Sequence, residues 1–354
     1  MSLVLQHLHL NATPISSLPT DPSSELSEYR ESLLNESLKL LDSDAWTGRK
    51  EFHGGVVETF DLPVEHVRYK TKLNGADEET VSPTGKSDGE GITWHKRISR
   101  LKTSEYGGYD EWWAGVGANH TAQEKEYVDN LKELIDIGQS EDQKECFLKL
   151  YKLPFGATDR SFMCRSLVIK PDGDDNSDDG DDKGKEKDSK DEHDSPLSSE
   201  PGSRSFLSFS LPITTNEPHP AEKKYVRGTT VTVERIEEAD DGETIVWSCA
   251  SLSTPGGSIP VKLGESKMAA SLADAVPPIL EWMKKAHPKG SGPDVVPKGV
   301  AGGSTKTTKE ASEKAPVSAR ITRDVKNPGG GMGLMAAGRL TLDMFQRPVK
   351  LREF

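Results

Sequence analysis

The chain is poor in the residues that build a core. Apolar side chains make up 33% of its 354 residues and aromatic ones 6%, while 29% are charged. Ordinary soluble domains are about 45–50% apolar when glycine is counted, so part of this chain lacks the means to fold. Cysteine is scarce. Cys146, Cys164 and Cys249 lie far apart, form no CxxC and each falls in an apolar run. That excludes a disulfide scaffold and points to buried, reduced thiols. No apolar run nears the ~20 residues of a membrane span. The opening MSLVLQHLHLNATP lacks the basic start and long apolar stretch of a secretion signal. The sequons at Asn11, Asn35 and Asn119 therefore read as chance matches, and the expected location is cytoplasmic. Basic residues are in deficit, with a net charge of −13 and no basic stripe, which argues against a nucleic-acid partner.

Catalytic signatures are missing too. There is no GxSxG, no HExxH and no Cys/His cluster, so no catalytic residue, cofactor or metal ligand is assigned. From Asp174 the acidic run looks like a calcium loop at its first, third and fifth positions. Its sixth residue is Asp179 instead of glycine and its twelfth Lys185 instead of glutamate. Gly329–Gly331 with Gly333 lack dinucleotide-site spacing. His120 and Glu124 stand one helical turn apart with no third ligand in view, which suits a helix start better than a metal. Ser177 and Ser189, each followed by acids, are candidate phosphorylation sites.

What is present is an amphipathic stripe over residues 257–286. Met268, Leu272, Val276, Ile279 and Met283 recur at gaps of four, four, three and four. Ser258 is a candidate cap and Pro260 suits a first turn. Pro277-Pro278 interrupts the run, so either a kink or two helices meeting at Val276 is expected. Either a curved sheet closes over this helix, or it is an ordinary packing helix at a domain end.

In chain order, residues 1–22 read as an irregular lead-in. A helix over 24–42 puts Leu26, Tyr29, Leu33, Leu34, Leu38 and Leu41 on one face, capped by Ser23 or Ser24, with Trp46 packing at its end. Residues 50–73 read as extended, and 74–91 as a long hairpin loop. The strand over 92–101 puts Trp94 on one face and His95 and Arg97 on the other. Helices are expected over 109–116 and 119–137, the second capped by Asn119 or by Thr121 with Glu124. Strands follow at 145–153, 161–170, 206–213, 225–237 and 243–252, the last two joined by the turn 239–242. Residues 171–203 hold thirteen Asp or Glu against four Lys. Such a run is expected to be disordered, a large loop between two strands of one sheet. Residues 287–319 read as a flexible linker. Residues 320–354 form a basic tail, seven Lys or Arg against three Asp or Glu, with a short apolar cluster.

This order is similar to the helix-grip fold of START domains: α+β, a curved antiparallel sheet wrapped around a C-terminal helix. The blocks ITWHKRIS, YDEWW, NHTAQEKEY, RGTTVTVER and VWSCASLSTPGGSIP through ILEWMKK resemble the fungal START-like family catalogued as domain of unknown function 3074. The resemblance covers roughly residues 23–286. It implies non-enzymatic binding of a lipid or other hydrophobic ligand inside the protein. Strand alternation and the helix stripe then offer Trp94, Phe206, Phe209, Val231, Val233, Trp247, Met268, Leu272, Val276 and Ile279 as cavity candidates. Arg97 and Arg227 are candidates for a head group. For the aromatics plain core packing is the alternative, and for the arginines an exposed strand charge. Which strand face points inward is left open. Two other functions stand beside this one. An interaction protein would act through the acidic loop and the tail, the latter on a partner or an anionic membrane; the tail folding back on the domain is equally compatible. An enzyme would need polar groups converging inside, for which Arg97, His95 and Glu234 are the faint candidates.

Overall fold

The structure is a computed structural model that describes residues 3–19, 24–63, 67–71, 79–81, 92–118, 120–138, 145–153, 158–171, 204–257 and 259–286. The acidic run beyond residue 171, residues 82–91, Asn119, Ser258, the linker and the tail lie outside the described residues.

The N-terminal residues are not an irregular lead-in. Strand β1 (Leu3–Leu5) is followed by β2 (Thr13–Pro14) and a single 3-10 turn, and Leu5 and Leu8 are fully buried. Helix α1 (Ser24–Leu41) explains why. Its buried Glu36 accepts hydrogen bonds from the backbone N–H groups of Gln6 and His7, both at 2.9 Å. A carboxylate reaching across the sequence leaves no periodicity to read. At the other end of α1, Trp46 Nε1 donates to the Leu40 carbonyl at 2.7 Å and Lys96 Nζ to the Leu41 carbonyl at 3.0 Å. Both satisfy carbonyls that a helix end leaves open. Burial pulls the Lys96 amine down to about 8.

The main sheet is built from β3 (Thr47–Phe52), β4 (Val57–Pro63), β7 (Thr93–Lys102), β8 (Leu131–Asp136), β9 (Cys146–Tyr151), β10 (Arg160–Ile169), β11 (Ser205–Thr214), β13 (Thr229–Glu238) and β14 (Thr244–Thr254). Its order is β3-β4-β7-β14-β13-β11-β10-β9-β8, antiparallel throughout. Short β12 (Val226–Arg227) runs parallel to β10, and β2 runs parallel to β11. A second small sheet pairs β1 with β5 (Val67–Thr71) and β5 with β6 (Glu79–Val81).

Between β7 and β8 the chain makes α2 (Thr103–Tyr106), α3 (Tyr109–Trp112), a π-turn (Trp113–Gly117) and α4 (His120–Tyr127). The helix expected over 119–137 therefore stops ten residues early, and Leu131–Asp136 is an edge strand. The register slips between Leu131 and Glu133, the mark of a β-bulge. That slip throws Leu131, Leu134 and Ile135 into a spacing that imitates a helix.

The C-terminal stripe divides into α5 (Val261–Asp274) and α6 (Val276–Ala286), which meet at Ala275. Pro277 and Pro278 fall in the first turn of α6, where a missing N–H costs no hydrogen bond. The start of α5 has Pro260 as its cap residue with no side-chain cap.

The sheet is covered on both faces. Cross-strand registers put Phe60, Lys96, Ala250, Val233, Phe209 and Leu167 in one row across the outer face. Leu33, Leu34, Leu40 and Leu41 of α1 pack on that face, together with Trp94, Val231 and Leu252. Trp94 Nε1 donates to the Tyr69 hydroxyl at 2.9 Å. The inner face meets Val276, Ile279, Leu280 and Met283 of α6, with Trp112 and Tyr127 from the crossover. Helix α5 lies over β7 and β4. The result is the α+β helix-grip arrangement.

Candidate functional site

The registers lay out the inner face as rows. The first is apolar apart from one serine: Val57, Ser99, Trp247, Ile236 and Phe206. The next is Thr59, Arg97, Cys249, Glu234, Ser208 and Val168. The third is Asp61, His95, Ser251, Thr232, Ser210 and Ser166. Alternation decides this assignment: a strand sends residues i and i+2 to the same face. The outer face is mostly Leu, Val, Phe and Trp, while the middle rows of the inner face are polar, serines and threonines around the larger Arg97, His95, Asp61 and Glu234. Yet Thr59, Arg97, Cys249, Glu234, Ser208 and Ser251 are all buried.

Arg97 is the centre of this region and has no exposed surface. Its guanidinium stacks over the Trp247 ring, 3.7 Å from the centroid, and its Nη2 lies 3.4 Å from Glu234 Oε1. Trp247 Nε1 donates to Glu234 Oε2 at 3.1 Å. Burial, then the charge of Glu234, pushes the Cys249 thiol well above its ordinary range, so it is a neutral S–H. Arg97 Nε and Nη1, Ser99 Oγ and Thr59 Oγ1 are buried and make no hydrogen bond to the described residues. Leaving a buried donor unmade costs about 1–3 kcal/mol.

His95 ties the inner face to α5. Its Nδ1 lies 2.8 Å from Asp61 Oδ1 on β4 and its Nε2 2.9 Å from Glu265 Oε2 on α5. Burial works against the imidazolium, but the two hydrogen bonds outweigh it and the pKa ends above the usual histidine value.

Of the cavity candidates read from the sequence, Arg97, Phe206 and Trp247 stand on the inner face, and Leu272 packs on Cys249. Val276 and Ile279 join the same apolar cluster as Phe206 and Trp247. Met268 is fully buried and belongs to none of the apolar clusters. Trp94, Phe209, Val231 and Val233 point the other way, into the α1 layer. They do not share a space with Arg97, because each sits in the opposite phase of its strand. Arg227 is remote from both groups. It pairs with Glu222 and lines a surface hollow of about 670 Å³ with Ser161, Thr215 and His219. Glu234 meets Arg97 on the inner face, and His95 stands on the same face one row away, bound to Asp61 and Glu265. Sequence reading missed Thr59, Ser99, Ser208, Ser210, Thr232 and Ser251. Their signal was the polar phase of the alternation, which ordinarily marks the solvent side of a sheet.

Among the described residues no group of three or more His, Cys, Asp or Glu is placed to hold a metal ion. No helix of the described residues is long and apolar enough to cross a membrane.

A sequence profile described as "Protein of unknown function (DUF3074)" matches residues 94–283. No curated protein matches the chain. Solved structures similar to it include human STARD10, at 11% identity and a TM-score of 0.45, covering 77% of this chain and 88% of that one. Human StAR-related lipid transfer protein 5 is 13% identical with a TM-score of 0.48, covering 75% of this chain and 99% of that one. A STAR-related lipid transfer protein fragment from Xanthomonas axonopodis is 11% identical with a TM-score of 0.40, covering 68% and 99%.

Proposed function

The chain belongs to the DUF3074 family of proteins of unknown function, and on that footing we propose that it binds one lipid or other amphipathic small molecule, without chemical conversion. The ligand lies between the inner face of the sheet and α5–α6. The observation that carries this reading is the contrast between the two faces. A face buried only for stability is filled with large apolar side chains, as the α1 face is. The middle rows of the inner face bury serine, threonine, arginine and glutamate instead. Small side chains leave volume, and a concave site with few convergent polar groups is the usual form of a small-molecule site. Arg97, held by Glu234 and stacked on Trp247, takes the polar head. Phe206, Trp247, Val276 and Ile279 take the apolar part. The buried thiols Cys146, Cys164 and Cys249 suit a reducing compartment such as the cytoplasm.

Native mass spectrometry of the purified chain, followed by extraction and identification of what it carries, tests the reading. Ser208→Phe sharpens it. If the space is occupied by ligand, the variant loses the bound species and melts with the lipid-stripped wild type. If the interior is packed, overfilling it costs about 1–3 kcal/mol. A chain that carries nothing, takes up no lipid from vesicles and is destabilised by Ser208→Phe refutes it. A second reading, an interaction protein acting through residues 171–203 and 320–354, rests on sequence alone; deleting 320–354 without changing partner binding refutes that one.

A further inference from the structure

A second polar centre stands on the inner face, beyond the reach of Arg97. Lys149 on β9 and Glu124 on α4 form an ion pair at 2.7 Å, both buried. Burial works against the Lys149 ammonium, but the Glu124 charge outweighs it and raises its pKa above the usual lysine range. His120 Nε2 lies 3.5 Å from the same Glu124 oxygen, while His120 Nδ1 is 3.0 Å from the Val116 carbonyl. Both contacts to Glu124 use Oε1. Glu124 Oε2 is buried and makes no hydrogen bond to the described residues, and the same holds for the hydroxyl of Tyr127 one turn along α4. The Tyr127 phenol is pushed far up by burial, then by the carboxylates of Glu124 and Glu234. Tyr127 thus feels the carboxylates of both centres.

The ion pair is one of several anchors of α4. Thr121 Oγ1 already donates to Ser166 Oγ at 2.6 Å, and the Tyr127 ring packs on Trp282 with centroids 5.3 Å apart. What remains is an unfilled acceptor and an unfilled hydroxyl on one turn of one helix. An alcohol group has the chemistry both atoms lack: an O–H to donate to Glu124 Oε2 and an oxygen to accept from the Tyr127 O–H. A hydrocarbon chain at this place leaves both unmade.

We propose that the bound molecule has two polar functions: an acceptor-rich head at Arg97, and a hydroxyl along its chain held by Glu124 and Tyr127. The ligand class is therefore a hydroxylated long-chain acid or ester. This rests on the proposed binding function and narrows it.

The test is calorimetric titration of the full chain with long-chain carboxylic acids, plain and carrying one hydroxyl at successive positions. One hydroxyl position is expected to bind about tenfold tighter than the plain acid, the scale of a hydrogen bond to a charged group. Tyr127→Phe removes only the hydroxyl, keeps the ring against Trp282, and is expected to erase most of that advantage without weakening the plain acid. If plain and hydroxylated acids bind equally to the wild type and Tyr127→Phe changes neither, the second centre is structural and the inference is overturned, with the binding function intact. If no acid of either kind binds, the inference and the function beneath it fall together.

Discussion

Replacing Glu265 by Gln probes the tie between α5 and the sheet. His95 is 4% exposed and presents both ring nitrogens to carboxylates, so only the protonated ring satisfies both. A hydrogen bond to a charged group contributes about 1.5–3 kcal/mol. Asp61 is partly exposed and its share is screened. Glu265 is the better buried partner, with 15% of its side chain exposed. Glutamine keeps an acceptor but loses the charge, about half of the interaction. The expected loss is therefore about 1 kcal/mol, or roughly 2–4 °C in melting temperature for a domain of this size. The sign with pH follows from His95. Its folded pKa lies above the unfolded value of about 6.5. Its contribution is fully present below that value and is lost as pH rises through the folded pKa. Asp61 behaves oppositely: its hydrogen bond to His95 lowers its pKa, so its share is lost only as pH falls through that lowered value. Thermal melts of both proteins across neutral to alkaline pH are expected to show the widest gap at about pH 6, closing as the solution becomes basic. A gap that is constant with pH, or wider in base, refutes the assignment of a charged His95 bridge.

Other perturbations have equally definite outcomes. Tyr69→Phe strips the acceptor from the fully buried Trp94 indole on the α1 face; it is expected to cost about 1–3 kcal/mol in urea unfolding, and an unchanged midpoint refutes the pairing. Gly256 has φ +67° and an added Cβ would stand 1.9 Å from the Arg227 carbonyl oxygen, while Gly242 has φ +64° and open space around it. Gly256→Ala is therefore expected to destabilise by about 2 kcal/mol or more and Gly242→Ala by about 1 kcal/mol. Equal effects at the two positions would mean that strain alone, without the clash, sets the cost.

Much of the fold was legible because its long elements are periodic. The leucines of α1, the strand over 92–101 and the turn at 239–242 all carry strong local signals, and the doubled proline marked the division between α5 and α6 to within a residue. What failed has identifiable causes. The bulge at Leu131–Glu133 disguised a strand as a helix, and the turn that follows β1 is held by a side chain thirty positions away. The site was half legible. Alternation separated Trp94 from Arg97 correctly, but nothing in a strand says which phase meets α1 and which meets α5. The decisive fact, that serines 208 and 210 are turned inward, contradicts the usual meaning of a polar phase. The Lys149–Glu124 pair joins residues 25 positions apart on different elements and left no local trace.

The double covering of the sheet has a consequence for how such a protein can change. The volume demands of α1 fall on Leu, Val, Phe and Trp of one strand phase; the polar work falls on the other phase of the same strands. Neighbouring residues in sequence thus answer to separate constraints. Exchanges at Ser208, on the face turned away from α1, change the inner face while the leucine-rich packing on α1 is left as it is; Thr232 and Ser251 are less free, since their hydroxyls bond each other at 3.0 Å. A chain built this way can change the chemistry of one face of its sheet while the other face goes on holding the fold.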